Sequence, residues 1–219
     1  MTRRFCVAGL SLVFCAILTL PVDAAEKIRV ACIGDSITFG AGVEQREKNN
    51  YPVKLGELLG DKYEVKNFGV SGATLLKHGD LPYWKLGEFK ASTEWQPNIV
   101  VIKLGTNDTK PQNWKFAGEY ATDLAALVDH FSKLNSKPRV YLCKPVPVYE
   151  AKWGINEQDL TQGVMPKLVA VAKEKEVQVI DLYTALSGAP QYFPDKIHPN
   201  AAGAAVIAKT VFAAISEKK

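Results

Sequence analysis

The sequence predicts a three-layer α/β/α domain built on a five-stranded parallel sheet. Three observations carry that expectation. Five short runs rich in β-branched and aromatic residues recur along the chain, segments of helical period separate them, and two of the runs are apolar without alternation, as strands covered on both faces must be.

The first run, Ile28–Ile33, ends at Gly34, and a helix is expected over Tyr51–Leu59 before the second run, Tyr63–Phe68. A helix over Trp84–Thr93 leads to the third run, Ile99–Leu104, whose Ile99-Val100-Val101-Ile102 has no polar face. Beyond it, Ala117, Tyr120, Ala121, Leu124, Leu127, Val128, Phe131 and Leu134 recur at spacings of three and four while Asp123, Asp129 and Lys133 fall elsewhere. That periodicity predicts a helix over roughly Asn113–Asn135. The fourth and fifth runs are Arg139–Cys143 and Val177–Leu182, with helices expected over Glu157–Lys175 and Ala201–Lys218.

A chain of 219 residues and 24.0 kDa, 47% hydrophobic and 23% charged, fits one globular domain with a large core and excludes a disordered or repeat protein. Lys and Arg number 27 against 23 Asp and Glu, a net +4 without any basic run, so nucleic acid is not the expected partner. Residues 1–24 read as a secretory signal peptide: Arg3 and Arg4 precede the apolar Phe5–Leu20, and Val22-Asp23-Ala24 supplies a small-residue end with cleavage near Ala24. The apolar stretch is short for a membrane span, so stable insertion is not expected; a retained N-terminal anchor is the alternative. Residues 25–219 would then form a single domain, exported to a periplasm or to the medium.

In an open parallel sheet, ligands bind beyond the carboxyl ends of the strands. After the first run stands Gly34-Asp35-Ser36, after the second Asn67-Phe68-Gly69-Val70-Ser71-Gly72, after the third Gly105-Thr106-Asn107-Asp108, and after the fifth Asp195-Lys196-Ile197-His198. A serine hydroxyl becomes a nucleophile when a general base accepts its proton and a third group orients that base. Ser36, His198 and Asp195 can fill those roles, and the spacing of three residues lays the carboxylate beside the imidazole. The other two histidines suit the role less: His130 falls on the long helix as a solvated residue, and His78 has only Asp80 at comparable spacing. Oxyanion donors are available from the Ser36 and Gly72 backbone N–H groups and the Asn107 amide. Taken singly, each block also reads as a turn or a helix cap.

Together the four blocks resemble those of the SGNH hydrolases, also called GDSL esterases and lipases, over the whole of residues 25–219. The resemblance implies the strand order 2-1-3-4-5, a reaction without metal or cofactor using Ser36, His198 and Asp195, and an oxyanion hole of Ser36, Gly72 and Asn107. In that order the third strand separates Cys32 from Cys143 by two spacings of about 4.8 Å, too far for a disulfide, so both thiols are expected to be free.

For the substrate, the loops Ala41–Asn50 and Leu75–Leu86 look polar, which disfavours a long acyl chain. Tyr83, Trp84, Trp114, Tyr149, Trp153 and Tyr192 lie near strand ends, where flat rings can stack on sugars. Asp35, Trp114 and Trp153 are the expected substrate contacts. The stretch Lys103–Trp114, Pro145-Val146-Pro147 and Trp153-Gly154-Ile155 look like the branch labelled sialate O-acetylesterase or carbohydrate esterase. A secreted serine esterase removing acetyl groups from a small-molecule or glycan ester is therefore expected. A lysophospholipase or thioesterase of the same fold, a non-catalytic sugar-binding module and a flavin-binding flavodoxin are the alternatives.

Overall fold

The structure is a computed structural model that describes residues 1–2 and 26–216; the signal segment expected over residues 1–24 lies almost entirely outside the described residues. Five strands, β1 (Ile28–Gly34), β2 (Tyr63–Gly69), β3 (Ile99–Lys103), β4 (Arg139–Lys144) and β5 (Gln178–Asp181), form one sheet in the order β2-β1-β3-β4-β5. Every pairing is parallel, with Cys32 opposite Asn67 on one side and Val101 on the other. The expected strands all form, each within two residues of its expected ends.

Alternate residues of each strand serve opposite layers. Ala31, Ile33, Val100, Ile102 and Leu142 pack beneath the helices Gly87–Glu94, Tyr120–Ser132 and Met165–Glu174. Val30, Cys32, Val101, Tyr141 and Cys143 pack beneath Tyr51–Leu59 and Ala201–Ser216. Both faces of the central strands are thus buried, which accounts for their unbroken apolar sequence. Cys32 and Cys143 are free and buried, and burial pushes the Cys32 thiol up to about 12.

Three helices differ from expectation. The one expected over Trp84–Thr93 divides into a 3₁₀ turn, Tyr83–Lys85, and the helix Gly87–Glu94, with Leu86 extended between them. The one expected from Asn113 begins at Tyr120; before it the chain makes a separate turn, Pro111–Trp114, and a 3₁₀ turn, Ala117–Glu119, so that Trp114 and Phe116 can pack against the core. The one expected over Glu157–Lys175 passes through a π turn at Leu160–Val164. Pro166 has no N–H to donate one turn back, and the Trp114 ring lies so close to Gly163 that a Cβ there would stand 2.2 Å from it. One-turn helices at Ser36–Phe39, Arg46–Asn49 and Leu182–Leu186 are too short to show a period in sequence.

The chain leaves β1 toward β2 on one side and β3 toward β4 on the other. The loops after β1 and β3 therefore diverge where the order reverses, and a crevice opens between them at the carboxyl end of the sheet.

Candidate active site

Ser36 opens the one-turn helix that follows β1, where its backbone N–H has no intrahelical acceptor. Asp35 caps that helix by accepting a hydrogen bond from Ile37 N–H at 2.9 Å. Asn67 at the end of β2 braces the same helix, donating to the Thr38 carbonyl at 2.8 Å. Gly69 allows the approach, because a Cβ there would lie 2.3 Å from the Phe39 nitrogen.

His198 arrives from the far end of the chain, on the loop before the last helix. Its Nε2 is 2.8 Å from Ser36 Oγ and its Nδ1 is 2.7 Å from Asp195 Oδ2. Asp195 Oδ1 accepts the backbone N–H groups of His198 at 2.6 Å and Ile197 at 2.9 Å, which fixes the carboxylate to its own turn. Burial alone would raise the Asp195 carboxyl; the hydrogen bonds from His198 and Ile197 outweigh it and hold the group below the ordinary carboxylate range. An ionised Asp195 can only accept, so His198 Nδ1 donates to it and Nε2 is left to accept the Ser36 hydroxyl.

Asn107 sits in the 3₁₀ turn after β3, and its amide donates to the Ala73 carbonyl at 3.1 Å, leaving a second N–H. Gly72 has φ +88°, a left-handed conformation that favours glycine. Ser36, Gly72, Asn107 and His198 line one open cleft of 220 Å³, together with Ala41, Ser71, Lys110, Trp153 and Ile155. Among the described residues no group of three or more His, Cys, Asp or Glu is placed to hold a metal ion.

The expected substrate contacts divide. Trp153 is 56% exposed, with its ring centroid 5.7 Å from that of His198. Lys152 and Ile155 exchange backbone hydrogen bonds around Trp153 (φ +54°) and Gly154 (φ +82°), a two-residue type I′ turn. A bulky residue in the left-handed region costs roughly 1–2 kcal/mol. Trp114 does not reach the cleft: it packs on Tyr120 and Gly163 and docks the π turn. Asp35 is wholly buried, capping its helix and pairing with Lys103, and cannot touch a substrate. Tyr83 is core, Trp84 donates to the Leu75 carbonyl at 2.8 Å, and Tyr149 packs on Phe193.

Three further expectations need correction. The loops 41–50 and 75–86 contribute only Ala41 to the lining, because Lys77 pairs with Asp123, His78 with Glu119, and Asp80 accepts from Gln112 and Asn113. His78 therefore takes its carboxylate from Glu119, which is distant in sequence. His130 is half-buried rather than freely solvated: its ring centroid lies 4.6 Å from that of Phe89 and its Nε2 2.9 Å from the Thr93 hydroxyl, and burial lowers its pKa. Lys110 and Ile155, which line the cleft, and the buried Lys103 were singled out in sequence only within stretches like those of carbohydrate esterases, with no place in the site. For Lys103 a signal was present, a lysine continuing an otherwise apolar strand.

Comparison with known proteins agrees with this architecture. The model of the GDSL-like lipase/acylhydrolase family matches residues 32–206. An acetylxylan esterase of Xylanibacter ruminicola is 39% identical over 215 residues, covering 90% of this chain, while the chain spans 45% of that relative's length. A carbohydrate acetylesterase from Sinorhizobium meliloti has a TM-score of 0.70 at 20% identity, covering 87% of this chain and 99% of its own. The aryl esterase of M. smegmatis has a TM-score of 0.69 at 22% identity, covering 86% of this chain and 98% of its own. These two likenesses show the shared fold.

Proposed function

The chain belongs to the GDSL-like lipase/acylhydrolase family, and we propose that it is a serine esterase that removes acetyl groups from carbohydrate. The observation that carries this is the hydrogen-bonded series Ser36, His198, Asp195 at the edge of a small cleft beside an exposed Trp153.

Ser36 Oγ attacks the ester carbonyl carbon as His198 Nε2 takes its proton. The carbonyl oxygen becomes an oxyanion facing the N–H groups of Ser36 and Gly72 and the Asn107 amide, donors worth a few kcal/mol each (about 3–4) in comparable sites. Collapse breaks the bond to the sugar oxygen, which leaves with the proton from His198. Water, deprotonated by the same nitrogen, then releases acetate from the acyl-Ser36. Asp195 stabilises the imidazolium at both stages.

The acyl side is expected to be short. Ala41 and Ile155 offer a small apolar contact in an open cleft of 220 Å³, enough for a methyl group but without a tunnel for a chain. Trp153 offers a flat face for a sugar ring. The likeness to an acetylxylan esterase supports acetylated xylan as a candidate substrate, and the leader-like residues 1–24 support action outside the cytoplasm. The test is acetate release from a panel of O-acetylated glycans, acetylated xylan among them, beside activated esters of increasing chain length. Acetate esters should exceed octanoate esters at least about tenfold in kcat/KM. Rates that climb with chain length would favour a lysophospholipase or thioesterase.

A further inference from the structure

We propose that Lys103 is a positioning residue whose ammonium holds the nucleophile loop and the oxyanion-donor loop in register. The inference rests on the esterase reading given above.

Lys103 is the last residue of β3, and its side chain and that of Asp35 are both 0% exposed. Its Nζ donates to Asp35 Oδ1 at 3.1 Å, to Asp35 Oδ2 at 2.9 Å and to Thr106 Oγ1 at 2.8 Å, so all three ammonium donors have partners. Asp35 immediately precedes Ser36 and caps its helix; Thr106 immediately precedes Asn107. One buried charge thus grips the two loops one residue away from the atoms that would attack the ester and receive the oxyanion.

The Gly72 loop is fastened to the same segment. Asp108 accepts the N–H groups of Leu75 at 3.0 Å and Leu76 at 2.8 Å, and the Asn107 amide donates to Ala73. The three loops therefore meet in one buried network, in which Lys103 supplies the link to Ser36. Stability alone does not call for this link. A buried ion pair offsets its own desolvation poorly, and apolar side chains of similar volume often hold a core as well. What apolar side chains cannot supply is three directed hydrogen bonds to two loops.

The test uses a small activated acetate ester, which needs no sugar contacts. Lys103→Met combined with Asp35→Asn removes both charges and leaves the helix cap an acceptor. We expect kcat to fall about 10²-fold with KM within about threefold, the effect of a small misplacement of reacting groups. In that background Asn107→Ala should cost less than about tenfold, against roughly 10²- to 10³-fold in the unaltered protein, because a donor out of register has little left to lose. An unchanged kcat, or the same loss from Asn107→Ala in both backgrounds, overturns the proposal. Thr106→Val keeps the ion pair and the side-chain shape, and it decides the matter if the double variant does not fold. The ammonium N–H that loses its acceptor should lower the melting temperature somewhat, but at a temperature where the variant is fully folded its kcat should fall about three- to tenfold at constant KM, and an unchanged kcat overturns the proposal. No turnover by the unaltered protein overturns the esterase reading and this inference with it.

Discussion

His198 Nε2 stands 2.8 Å from Ser36 Oγ across 162 residues of chain. Only the closing of the last loop over the carboxyl end of β1 brings the two together, and Asp195 holds the imidazole in the tautomer that faces the hydroxyl. Ser36→Ala and His198→Ala should each lower kcat by roughly 10³-fold or more, and the double variant should be hardly worse than either, because the members of such a set act as a unit. Steady-state rates on an activated acetate, with circular dichroism to show the fold retained, check this.

Asn107→Ala should lower kcat roughly 10²- to 10³-fold with little change in KM, as expected of a donor felt mainly in the transition state. A rise in KM at constant kcat would instead mark Asn107 as a ground-state contact. Gly72→Ala should also lose activity, because φ +88° strains any Cβ-bearing residue and the loop would shift to relieve it.

Trp153 and Trp114 should separate cleanly. Trp153→Asn replaces an exposed ring with a residue at ease in the left-handed region, so its melting temperature should not fall while KM on a glycan ester rises severalfold. The same variant should match the parent on a small activated acetate. Trp114→Ala should instead lower the melting temperature, since its ring fills the space against Gly163, with a loss of about 3–5 kcal/mol typical of buried aromatics and less for a half-buried one.

Asp108 sets a distinct dependence of stability on pH. Burial, with the charge of Asp35 adding to it, pushes its carboxyl up to about 7 despite the amides of Leu75 and Leu76. Between its unfolded value, about 3.9, and about 7 the folded state holds a proton that the unfolded state has released, so this group's contribution to stability declines as pH rises through that window. Melting temperatures across pH 4–8 should show that decline in the parent and its absence in Asp108→Asn. Identical pH profiles for the two proteins would show that Asp108 is already ionised at the low end.

The fold was legible because the strands are short, continuous and bounded, and because three of the four chemically distinct blocks directly follow one of them; the fourth, Asp195–His198, comes after β5 by way of the helix Leu182–Leu186. Ser36, Gly72, Asn107, Asp195 and His198 could be named as candidates because the four blocks occur together and in order, although each alone also reads as a turn or a cap. Substrate contacts were less legible. Trp114 and Trp153 look alike in sequence, and what divides them is the turn at Phe116 that buries one ring and the type I′ turn that exposes the other. The polar character of the 75–86 loop also misled, since its charged groups find partners in Asp123, Glu119 and Asn113, which are distant in sequence and invisible to local pattern.

The most direct test of the account is covalent capture of the nucleophile. A phosphonate ester that mimics the tetrahedral oxyanion is incubated with the protein, and intact and peptide mass spectra are recorded beside residual activity. One phosphonyl group per chain is expected on the peptide containing Ser36, with loss of activity in proportion to labelling and no label on Ser36→Ala. An active protein that stays unlabelled, or that carries the label at another residue, would contradict it.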